Sequence, residues 1–169
     1  MTQEELQSYI LQKYPGFKLE PLAHDLTFLV PAEQYIPFCT FLKEDPSMAF
    51  QNVMSLTATD YLDYMQVVVH INSYSQKHRI AIKVTLDREN PKISTITHLW
   101  PGANWHERET YDLYGVLFDK HPDLRRILLA DDWEGYPMRK GYTHWNLTPM
   151  PDDVTEVMKD YPTVPNPLG

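Results

Sequence analysis

Apolar residues recur along this chain with two different periods, and the switches between them predict its elements. Leu6, Tyr9, Ile10 and Lys13 follow one another at helical spacing, and Thr2 with Glu5 forms a capping box ahead of them. Pro15-Gly16 ends that helix. Phe17 to Leu22 and Leu26 to Val30 alternate instead, the second run placing Leu26, Phe28 and Val30 on one face. A turn at Ala23-His24-Asp25 joins them as a hairpin. A second helix is predicted from Ala32 to about Lys43, with Tyr35, Ile36, Cys39 and Leu42 inward. Pro37 either kinks it or delays its start, and Asp45-Pro46 closes it.

Three strands follow, over Gln51 to Ala58, Tyr64 to Ile71 and Arg79 to Leu86. In the last two, Met65, Val67, Val69 and Ile71 share a face, as do Ile80, Ile82, Val84 and Leu86. Such alternation means one face packed on helices and one wetter. The polar link from Asn72 to His78 is read as a hairpin loop. This order predicts an α+β fold: a largely antiparallel or mixed sheet with helices on one face, followed by a short helical charged segment and an extended C-terminal tail. After Asn90-Pro91, Ile93 to Leu99 is read as a short helix. Asn104 to Tyr114 is read as another, with Gly115 as its stop. Residues 141–169 hold five of the 14 prolines. That composition predicts an extended tail reaching on the order of 90 Å, or a disordered one. The organisation is therefore an α/β sandwich over 1–90, a signature segment over 91–140 that completes the domain and forms an interface, and the tail over 141–169.

Composition narrows the function. A chain of 169 residues, 43% hydrophobic and 12% aromatic, can bury a core. No apolar run approaches the roughly 20 residues that span a bilayer, and the acidic start lacks a signal-peptide pattern. The chain is expected on the cytoplasmic side, reaching a membrane only through other proteins. A net charge of −8 with no basic patch argues against nucleic acid. Cys39 is the single thiol, so the chain cannot itself supply a disulfide, a four-thiolate cluster or a Cys-x-x-Cys site. It is read as a small buried apolar side chain.

The candidate chemistry thins out on inspection. His106 with Glu107 resembles half of a zinc-protease helix, but position 110 is Thr where a second histidine is required. Glu107 and Glu109 lie about 200° apart on a helix and cannot share one small site. Arg108 and Asp112, four apart, are expected to pair within the helix. The seven histidines show no ligand spacing, and His121, before Pro122, is read as a partner for loop backbone. No glycine-rich phosphate loop or nucleophile elbow occurs. Trp100 is read as core. Core and interface readings both stand for Trp105 and Trp133.

What distinguishes the chain is the density of opposite charges among bulky apolar groups between Trp105 and Trp133, a composition suited to burial against a partner. Glu107-Arg108-Glu109, Tyr111-Asp112-Leu113 with Gly115, and His121-Pro122-Asp123-Leu124-Arg125-Arg126 resemble the signature of the C-subunit family of respiratory complex I, the smaller hydrophilic component of its peripheral arm. Leu99-Trp100-Pro101-Gly102-Ala103-Asn104-Trp105 precedes this signature. Asp132-Trp133-Glu134-Gly135-Tyr136-Pro137-Met138-Arg139-Lys140 follows it. Ser55-Leu56-Thr57-Ala58-Thr59-Asp60-Tyr61 is similar to a weaker element of the same family.

The resemblance implies a component without redox centres in the peripheral arm of a proton-translocating NADH–quinone oxidoreductase, on the cytoplasmic side of a bacterial inner membrane. It would take part in that enzyme without catalysing anything itself, packing on the quinone-site D-subunit near the B- and I-subunits. FMN, iron–sulfur clusters, NADH and quinone would all sit on other subunits. Trp105, Glu107, Arg108, Glu109, Asp112, His121, Asp123, Arg125, Arg126, Trp133 and Arg139 are the candidate interface or structural residues. Glu107, Arg108, Glu109, Asp112, Arg125 and Arg126 are expected to form a buried salt-bridge network, some bonding within the domain and others across the interface. The nearer alternative is the equivalent component of a membrane-bound hydrogenase or a ferredoxin-fed dehydrogenase. The farther one is an independent soluble enzyme using Glu107 or Glu109 with His106 or His121.

Overall fold

The computed structural model describes residues 2–20 and 25–143. Helix α1 (Gln3–Lys13) begins at the expected capping box: the Glu5 N–H donates to the Thr2 hydroxyl at 3.2 Å, and the Thr2 N–H donates to the Glu5 carboxylate at 2.8 Å. Strands β1 (Lys18–Glu20) and β2 (Leu26–Leu29) pair antiparallel. The link predicted around Ala23 and His24 lies outside the described residues. A 3₁₀ turn (Ala32–Gln34) leads into α2 (Tyr35–Glu44). Pro37 thus delays the α-helix and falls in its first turn, where the missing N–H has no intrahelical acceptor to lose. The inward face is Tyr35, Phe38, Cys39 and Leu42; Ile36 is only half-buried, and the aromatic Phe38 takes the place expected for it.

The strands β3 (Asn52–Asp60), β4 (Tyr64–Ser73) and β5 (His78–Asp87) extend the sheet in the order β1-β2-β5-β4-β3. All neighbours are antiparallel except β2 and β5, which run parallel, so the sheet is mixed. The parallel pair arises because the chain crosses over through α2 before β3, β4 and β5 fold back, which lets β5 reach β2. The β4 and β5 faces agree with the alternation: Met65, Val67, Val69 and Ile71 are sealed, as are Ile80, Ile82 and Val84. One core cluster joins them to Leu6 and Ile10 of α1, Phe38 and Leu42 of α2, and Trp100 and Ala103 near the last helix.

One expected element is different. Residues 93 to 99 do not form a helix: Lys92–Ser94 is strand β6, paired parallel with β7 (Leu117–Asp119), and a turn follows at Ile96 to Trp100. The run Ile93-Ser94-Thr95-Ile96-Thr97 is rich in β-branched residues, whose stiff side chains suit a strand. Helix α3 (Ala103–Tyr114) ends as expected at Gly115, which adopts φ +73° and donates its N–H to the Tyr111 carbonyl at 2.8 Å. Among the described residues no helix is long and apolar enough to cross a membrane. The tail expected over 141–169 lies outside the described part from residue 144 onward.

Candidate functional site

Beyond β7 the chain from Lys120 to Thr143 has no helix or strand, yet it lies fixed on the domain. Irregular backbone has no ladder of its own, so its polar groups need side-chain partners. Two buried aspartates, several arginines and a few backbone bonds supply them. Asp112, fully buried on α3, accepts the N–H groups of Ile127, Leu128 and Leu129 on Oδ2 at 3.0, 2.7 and 3.0 Å. Its Oδ1 takes the Arg126 guanidinium at 2.8 Å. Arg126 also donates to the carbonyls of Asp112, Trp133 and Gly135 at 3.1, 3.1 and 3.2 Å. Burial pushes the Asp112 carboxyl up, but the three N–H groups and the guanidinium outweigh it and hold it below the usual range.

The second clasp lies at the end of the sheet. Asp60, at the end of β3, receives Arg88 through two bonds of 2.8 and 2.9 Å and the Lys140 N–H at 3.0 Å. Arg88 in turn donates to the Lys140 carbonyl at 3.1 Å. The guanidinium holds the Asp60 carboxyl well below the usual range. Between the clasps, Arg139 donates to the Tyr114 carbonyl at 2.7 Å and lies over the Tyr136 ring. Tyr136 packs so closely on Gly115 that an added Cβ would overlap the ring.

Within this chain the six charged residues fall into separate groups. Arg108 and Asp112 do not pair; Asp112 is taken by Arg126, and Arg108 donates to the backbone carbonyls of Arg125 and Arg126 at 3.2 and 3.5 Å while facing the Trp105 ring. Arg125 pairs with Asp123 at 2.7 and 2.8 Å on the surface. Glu109 is exposed and takes no ion pair among the described residues. Glu107 points inward, fully buried, accepting the Thr95 hydroxyl at 2.5 Å and the Ile96 N–H at 2.8 Å. Burial pushes its carboxyl up to about 7, opposed in part by those two donors. His121 does bond loop backbone: its Nδ1 accepts the Asp123 N–H at 3.0 Å.

The glutamate–histidine pairing needed by an independent enzyme is partly present, with His121 Nε2 3.8 Å from Glu107. Both side chains are sealed from solvent. Trp100 is core, its indole N–H donating to the Phe50 carbonyl at 2.9 Å. Trp105 is 64% exposed and Trp133 half-buried. Leu128 and Met138 are also exposed, so the clasped stretch displays apolar side chains on a rigidly hydrogen-bonded backbone.

Sequence reasoning missed Asp60, Arg88 and Thr95 as partners. The signal for the first two was available in outline: an acid ending β3 and an arginine just past β5 fall at the same end of a meander. Among the described residues no group of His, Cys, Asp and Glu could hold a metal ion.

The family model described as respiratory-chain NADH dehydrogenase, 30 Kd subunit, matches residues 28–146. The NADH-quinone oxidoreductase C-subunit of Roseiflexus sp. (strain RS-1) is 44% identical over 119 residues, covering 69% of this chain and 68% of the relative. The C-subunit of Geobacter metallireducens is 42% identical over 122 residues, covering 70% and 74%. Among solved structures, a trypsin-resistant fragment (1-134) of Nqo5 superposes with a TM-score of 0.62 at 28% identity, covering 70% of this chain and 98% of the fragment. One chain of the membrane-bound sulfane sulfur reductase, an archaeal respiratory membrane complex, gives 0.71 at 25% identity, covering 94% and 90%. With the α3 signature, its glycine stop and the clasped stretch all inside the matched span, the chain belongs to the family of the 30 Kd subunit of respiratory-chain NADH dehydrogenase, the family of the NADH-quinone oxidoreductase C-subunits.

Proposed function

We propose that this chain is a non-redox component of the peripheral arm of a proton-translocating NADH–quinone oxidoreductase, on the cytoplasmic side of the membrane. Its face formed by α3 and residues 120–142 packs on the quinone-site D-subunit and on the neighbouring B- and I-subunits, and so supports assembly of the quinone-reducing module. FMN, iron–sulfur clusters, NADH and quinone belong to other subunits.

The observation that carries this reading is the clasped stretch itself. Asp112 and Asp60 fix an irregular backbone to the domain while Trp105, Leu128 and Met138 remain exposed on or beside it. A preordered surface with apolar anchors loses little entropy when a partner covers it, which favours a permanent contact.

A second reading is favoured by the sulfane sulfur reductase likeness, which spans 94% of this chain. The same surface then serves a related membrane complex with a different electron donor or acceptor. Affinity purification of the N-terminally tagged chain from detergent-solubilised membranes, with mass spectrometry and an NADH–quinone activity assay on the same sample, separates the two. Co-purification of NADH-oxidising and quinone-site subunits supports the first reading, and other input subunits support the second. Recovery as a lasting monomer overturns both.

A further inference from the structure

Three carboxylates are buried among the described residues, and two of them face a guanidinium: Asp60 has Arg88 and Asp112 has Arg126. Glu107 has no such cation. Its oxygens meet the Thr95 hydroxyl, the Ile96 N–H and, at 3.8 Å, Nε2 of His121. A carboxylate taken out of water without a cation keeps its proton instead.

The histidine geometry is consistent with a neutral pair. Nδ1 of His121 accepts the Asp123 N–H, so in this arrangement the neutral ring carries its proton on Nε2, the atom that faces Glu107. Protonation of Nδ1 would remove the only acceptor this hydrogen bond has. The remaining neighbours do not supply a counter-charge to Glu107. Tyr35 and Cys39 of α2 face it, and burial pushes both away from ionisation rather than toward it. Arg108 and Asp123 act on His121 in opposite senses.

Thr95 gives the site an exit. The hydroxyl-bearing residue that holds Glu107 also lines a cleft of about 390 Å³, together with Thr97, His98, Asp119 and Lys120. A proton leaving the carboxyl therefore has a hydroxyl between it and solvent.

We propose that Glu107, Thr95 and His121 form a proton-binding site that fastens the His121–Asp123 turn to the domain when Glu107 is protonated and His121 is neutral. On release, the carboxyl O–H bond breaks, the proton passes by way of the Thr95 hydroxyl to water in the cleft, and a carboxylate is left without a cation. That charge is relieved when the pocket opens to solvent, which carries His121 and the Asp123 turn with it. The site is made of this chain's own residues and stands whichever complex the chain serves.

The sign follows from the direction of each shift. Glu107 is pushed from its ordinary 4.5 up to about 7, so its contribution is full below the ordinary value and is lost as pH rises through about 7. His121 is pushed below 6.5, first by burial, so its contribution is present above 6.5 and is lost as pH falls through its lowered value.

Amide hydrogen exchange on the full chain, corrected for the intrinsic rate, tests this at Ile96 and Asp123. Because the His121 contribution runs the other way below 6.5, the Glu107 contribution is read as the ratio of wild-type to Glu107→Gln opening, which is expected to rise about tenfold per pH unit between about pH 5 and about pH 7 and then level off. Glu107→Gln keeps an acceptor for Ile96 and offers Thr95 a donor, and its own opening is expected to fall as pH rises toward 6.5, the His121 contribution alone. Infrared difference spectroscopy should show a protonated carboxyl at about pH 6 that titrates away by about pH 8 and is absent in the variant. An ionised Glu107 at about pH 6, or a slope unchanged in Glu107→Gln, overturns the proposal. Should the variant fail to fold, the wild-type infrared spectrum decides by itself.

Discussion

Asp112 and Arg126 meet at 2.8 Å, fourteen residues apart in sequence, and neither group is used up by the other. The second carboxylate oxygen of Asp112 gathers three successive backbone N–H groups, while the rest of the guanidinium reaches the carbonyls of Trp133 and Gly135. Two side chains thereby satisfy five backbone groups of an irregular loop that has no ladder to do so.

Removing this centre should be severe. Asp112→Ala leaves Arg126 and three N–H groups without their acceptor and is expected to destabilise the chain by about 3 kcal/mol or more. Urea unfolding of the purified chain measures it. Asp112→Asn keeps the volume and one acceptor oxygen and should cost visibly less.

Acid should loosen both clasps. Asp60 and Asp112 titrate below their ordinary 3.8 in the folded chain, so their contribution is present above that value and is lost as pH falls through the lowered ones. The urea midpoint should fall steeply below about pH 4. In Arg88→Met the slope should be shallower, because the guanidinium that lowers Asp60 is gone. An unchanged slope would remove Asp60 from the explanation.

The exposed anchors should behave in the opposite way. Trp105→Ala and Leu128→Ser remove side chains that are 64% and 61% exposed, so the free chain should keep its stability within about 0.5 kcal/mol. Recovery of the tagged chain with its partner subunits from membranes should drop about tenfold for the pair of changes combined. Full recovery would place the contact on another face.

Gly115 tests the close packing of the helix stop. At φ +73°, and with the Tyr136 ring where a Cβ would stand, Gly115→Ala is expected to cost about 1–3 kcal/mol. Thermal unfolding reads this directly. Tyr136→Ala in the same background should recover part of the loss, since it removes the overlap but not the backbone strain.

Much of the fold was legible because local rules and burial agree there. The Thr2 capping box, the Gly115 stop and the alternation of β4 and β5 each depend on residues close in sequence. The family signature was legible for a related reason: α3 and the loop after it form one contiguous stretch of chain. The parallel pairing of β2 with β5 was not legible, because nothing local records which strand a crossing chain will reach.

Only the tertiary structure decided what the charges do. The i, i+4 rule gave Arg108 to Asp112, but three backbone donors and Arg126 offered Asp112 more than one solvated pair could, and Arg108 turned to the loop carbonyls instead. The same holds for residues 93–97, where pairing with β7 and the Glu107 bond to Ile96 fixed a strand and turn in place of a helix. Sequence determined which elements form and which stretch is unusual. Long-range hydrogen bonding, worth most where water is excluded, determined which acid pairs and which clasps a loop, while burial away from any guanidinium pushed the Glu107 carboxyl up.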